Sequence, residues 1–158
     1  MKGSQHIKMT RVVLAMTAVA ALSVSVTGSG NTDAASASAS LDRLREGNAR
    51  FVAEASAGLP VTTARRTELA KGQSPFAIVL SCADSRVPPE IVFNQGLGDL
   101  FVVRVAGQVA DRSVLASVEY AAEHLHSPLL VVMGHEFCGA DAWLRELRQT
   151  HGAPAYAG

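Results

Sequence analysis

Two short segments of the chain carry side chains able to do chemistry: Cys82-Ala83-Asp84-Ser85-Arg86 and, far along the chain, His135-Glu136-Phe137-Cys138-Gly139-Ala140. Together they offer two thiolates and an imidazole, the ligands Zn²⁺ prefers, with one carboxylate able to occupy or vacate a fourth tetrahedral position. Three protein ligands and one exchangeable position describe a catalytic zinc, whereas a structural site normally closes all four with Cys or His. A zinc held this way lowers the pKa of a coordinated water from 15.7 toward about 7, which supplies a hydroxide nucleophile near neutral pH. Two thiolates donate more charge than imidazoles do, so this water ionises less readily than on three histidines. A hydrogen bond to Asp84 offsets that, provided Arg86 keeps Asp84 ionised and turned away from the metal.

Simpler readings compete. Cys82 and Cys138 could form a disulfide in an oxidising compartment, but Asp84, Arg86 and His135 would then have no role. Asp84 with Arg86 could be an ordinary surface ion pair, worth little by itself.

The elements that must position these residues are legible around them. Cys82 follows the apolar run Phe76-Ala-Ile-Val-Leu80, bounded by Pro75, and His135 follows Leu129-Leu-Val-Val-Met133. Both runs predict parallel strands buried on both faces. Ligands just past the carboxyl ends of two such strands lie where open α/β sheets place their sites. Phe101 to Val105 reads as a third buried strand. Ser40 is placed to cap a helix over 41–55 with Leu41, Leu44, Phe51 and Val52 on one side, although Gly47 counts against that helix. Pro88-Pro89 fits a turn or first helical residue before Glu90 to Phe93. Ser113 is placed to cap a helix over 114–126 whose apolar face is Val114, Leu115, Val118, Ala122 and Leu125. Alternating strands and helices predict an α/β fold, a mostly parallel sheet flanked by helices with right-handed crossovers.

With these residues in place, the chain resembles the β-class carbonic anhydrases, in their plant-like branch. CxDxR followed by HxxCGA carries the resemblance, which runs from about Leu41 to Ala140. Leu44-Arg-Glu-Gly-Asn48 with Arg50-Phe51 is similar to that family's entry helix, and Gly98-Asp-Leu-Phe-Val-Val-Arg104 with Ala106-Gly107 to its second strand. The resemblance implies one Zn²⁺ per chain on Cys82, His135 and Cys138. It makes Asp84 and Arg86 the catalytic pair that controls the fourth position, with Asp84 itself a fourth ligand in an inactive state. Gln73, Phe101, Ala106 and Tyr120 would line the substrate pocket, Gln73 orienting a substrate oxygen and the Gly139 backbone N–H acting as a second donor. The implied reaction is reversible hydration of carbon dioxide to bicarbonate and a proton. No proton shuttle stands out, so a loop histidine or external buffer would serve.

The resemblance also implies a homodimer or higher homo-oligomer with the site at the subunit interface. Gln73 alone reads as a solvated loop residue, and Phe101 and Tyr120 suit core packing as well as a pocket wall. His6, His124, His126 and His151 have no motif around them and read as surface or tail residues. Two other functions stay open: a non-catalytic zinc-binding remnant of the family, and a related hydrolase of carbonyl sulfide or carbon disulfide.

The N-terminal segment speaks to location. Lys2, Lys8 and Arg11 precede an apolar run from Val12 to Val26, then Ala/Ser-rich sequence with AxA-like sites at Ala35-Ser-Ala37 and Ala37-Ser-Ala39. Residues 1–39 therefore read as a secretory signal peptide and its Ala/Ser-rich tail, leaving a domain over 40–158, secreted or periplasmic, with no membrane association after cleavage. An uncleaved membrane anchor is the alternative. Export sets the zinc thiolates against oxidation, since only a loaded metal protects them.

Composition fits a globular domain, with 48% hydrophobic and 18% charged residues and a formal net charge of zero. Balanced charge without a basic cluster or stacking platform argues against nucleic acid as a partner, and Gly96-Leu-Gly98 is a turn with no phosphate-loop pattern. Members of the family continue for several elements beyond HxxCGA, but only Asp141 to Gly158 follow here. The expected fold is therefore incomplete at its C-terminus, with Ala142 to Arg148 beginning one more helix.

Overall fold

A computed structural model of the chain describes residues 30–56 and 61–151. The fold is organised around strand β1 (Ala77–Cys82), whose six residues are all buried. Strand β2 (Leu100–Val105) pairs parallel to one side of it and β3 (Leu130–Met133) parallel to the other, giving the order β2-β1-β3. Ala77 stands opposite Leu100 and Cys82 opposite Val105, while Ile78 to Ser81 run opposite Leu130 to Met133. This register brings the carboxyl ends of all three strands to one side. The α/β class with a parallel sheet is thus as expected.

Helix α1 (Gly30–Val52) and the one-turn α3 (Pro89–Val92) cover one face of the sheet. There Leu44, Ala77, Val79, Val92, Phe93, Val131 and Met133 form the main core. α1 starts at Gly30, eleven residues earlier than expected, and Ser40 is a buried residue inside it with no capping role. The Ala/Ser-rich run favours this extension, because alanine has the highest helix propensity. Gly47, which looked unfavourable in a helix, has a packing reason: a Cβ there would stand 1.8 Å from the Phe93 carbonyl oxygen. Asn48 Nδ2 donates to the Val92 carbonyl in the same contact. Pro88 and Pro89 take the N-cap and first-turn places of α3, where a missing N–H costs nothing.

The short helix α2 (Thr63–Leu69) is capped by Thr62 and precedes β1. The other sheet face meets α4 (Arg112–Glu123), with Val114 and Ala121 buried. Its cap is Asp111, whose carboxylate accepts from the Val114 N–H at 2.9 Å. The expected cap, Ser113, lies in the first turn, and the helix ends at Glu123, short of His126. Aspartate at this position satisfies a free N–H and also meets the positive end of the helix dipole.

β3 departs from the expectation of burial on both faces. Val131 and Met133 are buried, but Leu130 and Val132 are each 44% exposed. α4 packs against β1 and β2, so this face of β3 is left open, and β2, expected to be buried, has all six residues only partly buried. α5 (Gly139–His151) follows the second motif, agreeing with a helix beginning in that region. Among the described residues no helix is long and apolar enough to cross a membrane. The run Val12–Val26 lies outside the described residues, as does His6.

Candidate metal centre

Parallel strands end in loops that diverge, and the two motifs are the loops leaving β1 and β3. Cys82 is the last residue of β1 and is buried. His135 and Cys138 sit in the turn between β3 and α5, and their ligand atoms and the Cys82 sulfur lie within 4.8 Å of one another. Both cysteines are free, with sulfurs 3.7 Å apart. Two thiolates bound tetrahedrally at about 2.3 Å from one zinc stand about 3.8 Å apart, so the spacing fits a shared metal.

The imidazole gives a second, independent test. His135 Nδ1 lies 3.0 Å from the Glu136 carbonyl oxygen, which can only accept, so Nδ1 carries the proton. Nε2 is therefore the lone-pair nitrogen, and it is buried without a hydrogen-bond partner. A backbone carbonyl on one ring nitrogen and a metal on the other is the usual setting of a ligating histidine. The donor set and its spacing fit Zn²⁺.

The two thiols differ. Burial raises the Cys82 thiol, but the Gly107 N–H, the neighbouring His135 ring, the Asp84 backbone and the Cys138 side chain together outweigh it and leave its pKa lowered. Burial also raises the Cys138 thiol; the Asp141 N–H opposes this, the neighbouring Cys82 adds to it, and the net shift is upward. Gly107 N approaches the Cys82 sulfur at 3.4 Å. It does so from a left-handed backbone conformation, φ 66°, in the turn Ala106–Gln108 after β2, where a side chain would strike Leu144. A glycine is required by both the angle and the space.

Asp84 and Arg86 form the forked pair expected of them. Arg86 Nε reaches Asp84 Oδ1 at 2.9 Å, its NH2 reaches Oδ2 at 2.7 Å, and the Arg86 backbone N–H also donates to Oδ1. These bonds hold the Asp84 carboxyl far below the usual carboxylate range, and the same pairing raises Arg86. Asp84 Oδ2 lies 3.8 Å from His135 Nε2, beside the ligand group. Arg86 NH2 also reaches the Phe137 carbonyl at 3.4 Å, tying one motif loop to the other.

The remaining expected site residues fall into two sets. Ala106 and Gly139 lie near the ligands, Ala106 just beyond the residue opposite Cys82 and Gly139 directly after Cys138; both are exposed, and nothing lies within 4 Å of where a Gly139 Cβ would stand. Gln73 is exposed and precedes the amino end of β1. Phe101 pairs opposite Ile78, also near that end, and its ring centroid is 6.2 Å from that of Tyr120, itself 47% exposed. The four steps from Phe101 to Val105 span about 13 Å of strand. Within one chain, therefore, Gln73, Phe101 and Tyr120 gather at the opposite end of the sheet from the ligands. His124 and His126 are exposed, as expected.

Three contributors were not singled out in the sequence. The Gly107 N–H and the Asp141 N–H each point at a ligand sulfur, the latter from the first turn of α5 at 3.4 Å. Arg104 holds the backbone of the first motif, and its only sequence signal is a charge inside an apolar strand. Phe137, at φ 56° and 84% exposed, is a strained residue between two ligands.

A Cys-His-Cys group lies at the carboxyl ends of a parallel sheet with an arginine-paired aspartate beside it, a donor set that could hold one metal ion. The family model for carbonic anhydrase matches residues 77–155, half of the chain. Carbonic anhydrase 2 of Mycobacterium tuberculosis is 55% identical over 97 residues, and the carbonic anhydrase of Mycolicibacterium smegmatis 54% identical over 97. Each alignment covers 61% of this chain and 47% of the relative. Among solved structures, the β-carbonic anhydrase CcaA superposes with a TM-score of 0.51 at 30% identity, over 70% of this chain and 56% of that one. The chain belongs to the β-class carbonic anhydrase family, and it spans about half the length of the curated relatives it matches.

Proposed function

We propose that this chain carries the zinc centre of an enzyme catalysing reversible hydration of carbon dioxide to bicarbonate and a proton. The observation that supports this best is the grouping of the Cys82, Cys138 and His135 ligand atoms, with Asp84 kept out of the group by Arg86. Zinc held there supplies Lewis acidity that lets water ionise near neutral pH. The chain's own residues do the rest. Arg86 keeps Asp84 ionised and fixed in direction, so its free lone pairs can accept a hydrogen bond or proton from the reacting water. The open space at Gly139 leaves its backbone N–H accessible to a substrate oxygen, and Ala106 leaves room for a small linear molecule. The released proton passes to external buffer.

Assembly and export belong to the same proposal. Gln73, Phe101 and Tyr120 serve a pocket only if they complete the site of a second copy, which supports a homodimer with sites at the interface. Signal cleavage near residue 39 is supported by burial: residues 33–36, 38 and 39 are exposed, and from residue 33 onward Ser40 is the first buried residue of α1. N-terminal sequencing of protein recovered from the periplasm or medium tests that boundary.

The decisive experiment loads the purified protein with zinc under reducing conditions and measures metal per chain across its size-exclusion peak, followed by stopped-flow hydration. About one zinc per chain in a discrete oligomer that hydrates carbon dioxide supports the proposal. Zinc binding with no hydration favours a non-catalytic zinc-binding member, a reading that the remote position of Gln73, Phe101 and Tyr120 in a lone chain keeps open. Faster turnover of carbonyl sulfide or carbon disulfide than of carbon dioxide would reassign the substrate.

A further inference from the structure

We propose that Arg104 is a positioning residue for the metal centre, acting through the backbone of the Cys82–Asp84 turn. Arg104 is the fifth residue of β2, opposite Ser81, in a strand otherwise composed of Leu100, Phe101, Val102, Val103 and Val105. Its Nε donates to the Cys82 carbonyl at 3.0 Å and its NH2 to the Asp84 carbonyl at 2.6 Å. No carboxylate lies within ion-pair distance of it among the described residues. A partly buried guanidinium is thus spent on two neutral carbonyls, one belonging to a zinc ligand and the other to the aspartate beside the metal.

The placement has a physical reason. β1 keeps its pairing with β2 as far as Ala83, whose N–H donates to the Val105 carbonyl. Past that point the chain turns, with the Asp84 carbonyl accepting from the Val87 N–H at 3.2 Å. Past Ala83 the strand ladder ends and a single turn hydrogen bond holds the backbone, so a rotation of the peptide units there would swing the Cys82 sulfur and the Asp84 carboxylate. Arg104 grips both carbonyls with one planar, rigid fork. Parallel strands hold β2 in register with β1, so the fork is anchored by the sheet. Lysine carries the charge but has a single nitrogen and cannot span both acceptors in this geometry.

The inference deepens the proposed zinc chemistry, and only its activity readout rests on that reaction. The test compares wild type, Arg104→Met and Arg104→Lys for zinc affinity by competition with a chromophoric chelator, for the thiolate charge-transfer spectrum of the cobalt-substituted protein, and for melting of the metal-free form. Loss of an outer partner of a metal site costs roughly 10–100-fold in affinity. Arg104→Met is expected to weaken zinc by that factor with an altered cobalt spectrum, to lower kcat with KM little changed, and to be only partly rescued by Arg104→Lys. If folded Arg104→Met and Arg104→Lys hold zinc within about twofold of wild type and keep its cobalt spectrum, the proposal is wrong. Should Arg104→Met fail to fold, Arg104→Lys decides alone by the same two readouts. In protein that binds zinc without hydrating carbon dioxide, the proposed reaction fails and the affinity difference still decides the role of Arg104.

Discussion

The two loops that build the metal centre are held in opposite ways. The first leaves β1, a strand buried along its whole length, and is gripped by the Gly107 N–H at the Cys82 sulfur, by Arg104 at two carbonyls, and by the Asp84–Arg86 fork. The second leaves β3, an edge strand with Leu130 and Val132 half exposed, and carries exposed Glu136, Phe137 and Gly139. Its hold is the Asp141 N–H on Cys138, the Arg86 contact to the Phe137 carbonyl, and the start of α5. The ligand atoms of both loops are already gathered, but the first loop is the better supported. A bound metal is expected to add most to the order of the second.

Several substitutions break or sharpen that contrast. The largest effect belongs to the ligands: Cys82→Ser or His135→Ala should abolish zinc retention and hydration together, and full zinc content in both would remove them from the ligand set. Next, Asp84→Asn should keep the metal while hydration falls by about 100-fold, the lower end of what a positioned acid–base group supplies; unchanged stopped-flow rates would take Asp84 out of the mechanism. Chelation of zinc should then separate the loops directly. Hydrogen exchange is expected to speed up across β3, residues 134–138 and the start of α5, while β1 amides keep their protection; equal loss in both regions would erase the distinction.

Two stability effects are smaller. Gly47→Ala should destabilise the fold by about 1–3 kcal/mol or more, as overpacking does, because α1 can no longer approach the Phe93 carbonyl; urea unfolding measures it. Phe137→Gly should raise stability by up to about 1 kcal/mol, since glycine adopts the positive φ without strain. A loss of stability there would show that the exposed ring makes a contact in the assembled protein.

Residue types and spacing go far in this chain. Two cysteines, a histidine, an aspartate and an arginine in CxDxR and HxxCGA give the ligand chemistry, because zinc's preference for sulfur and nitrogen needs only that the residues be present. Continuous apolar runs give three strands, although only β1 is buried along its whole length, while β2 is partly buried throughout and β3 buries one face. The boundaries of α1 and α4 were read less well: Ser40 and Ser113 each had the right chemistry for a cap, but the alanine-rich run before one and Asp111 before the other supplied better local solutions. Gly47 looked like a weakness in a helix because propensity counts only the helix itself.

What tertiary structure alone decided is which groups share a location. Helix packing left one face of β3 uncovered, so Leu130 and Val132 are exposed, and register placed Gln73, Phe101 and Tyr120 at the far end of the sheet from the candidate metal ligands. Register also set Arg104 opposite Ser81, within reach of the Cys82 and Asp84 carbonyls, where the only sign in the sequence is a charge inside an apolar strand. Side-chain identity is written locally along the chain. Distances between loops depend on how strands pair, and pairing is settled only when the whole core packs.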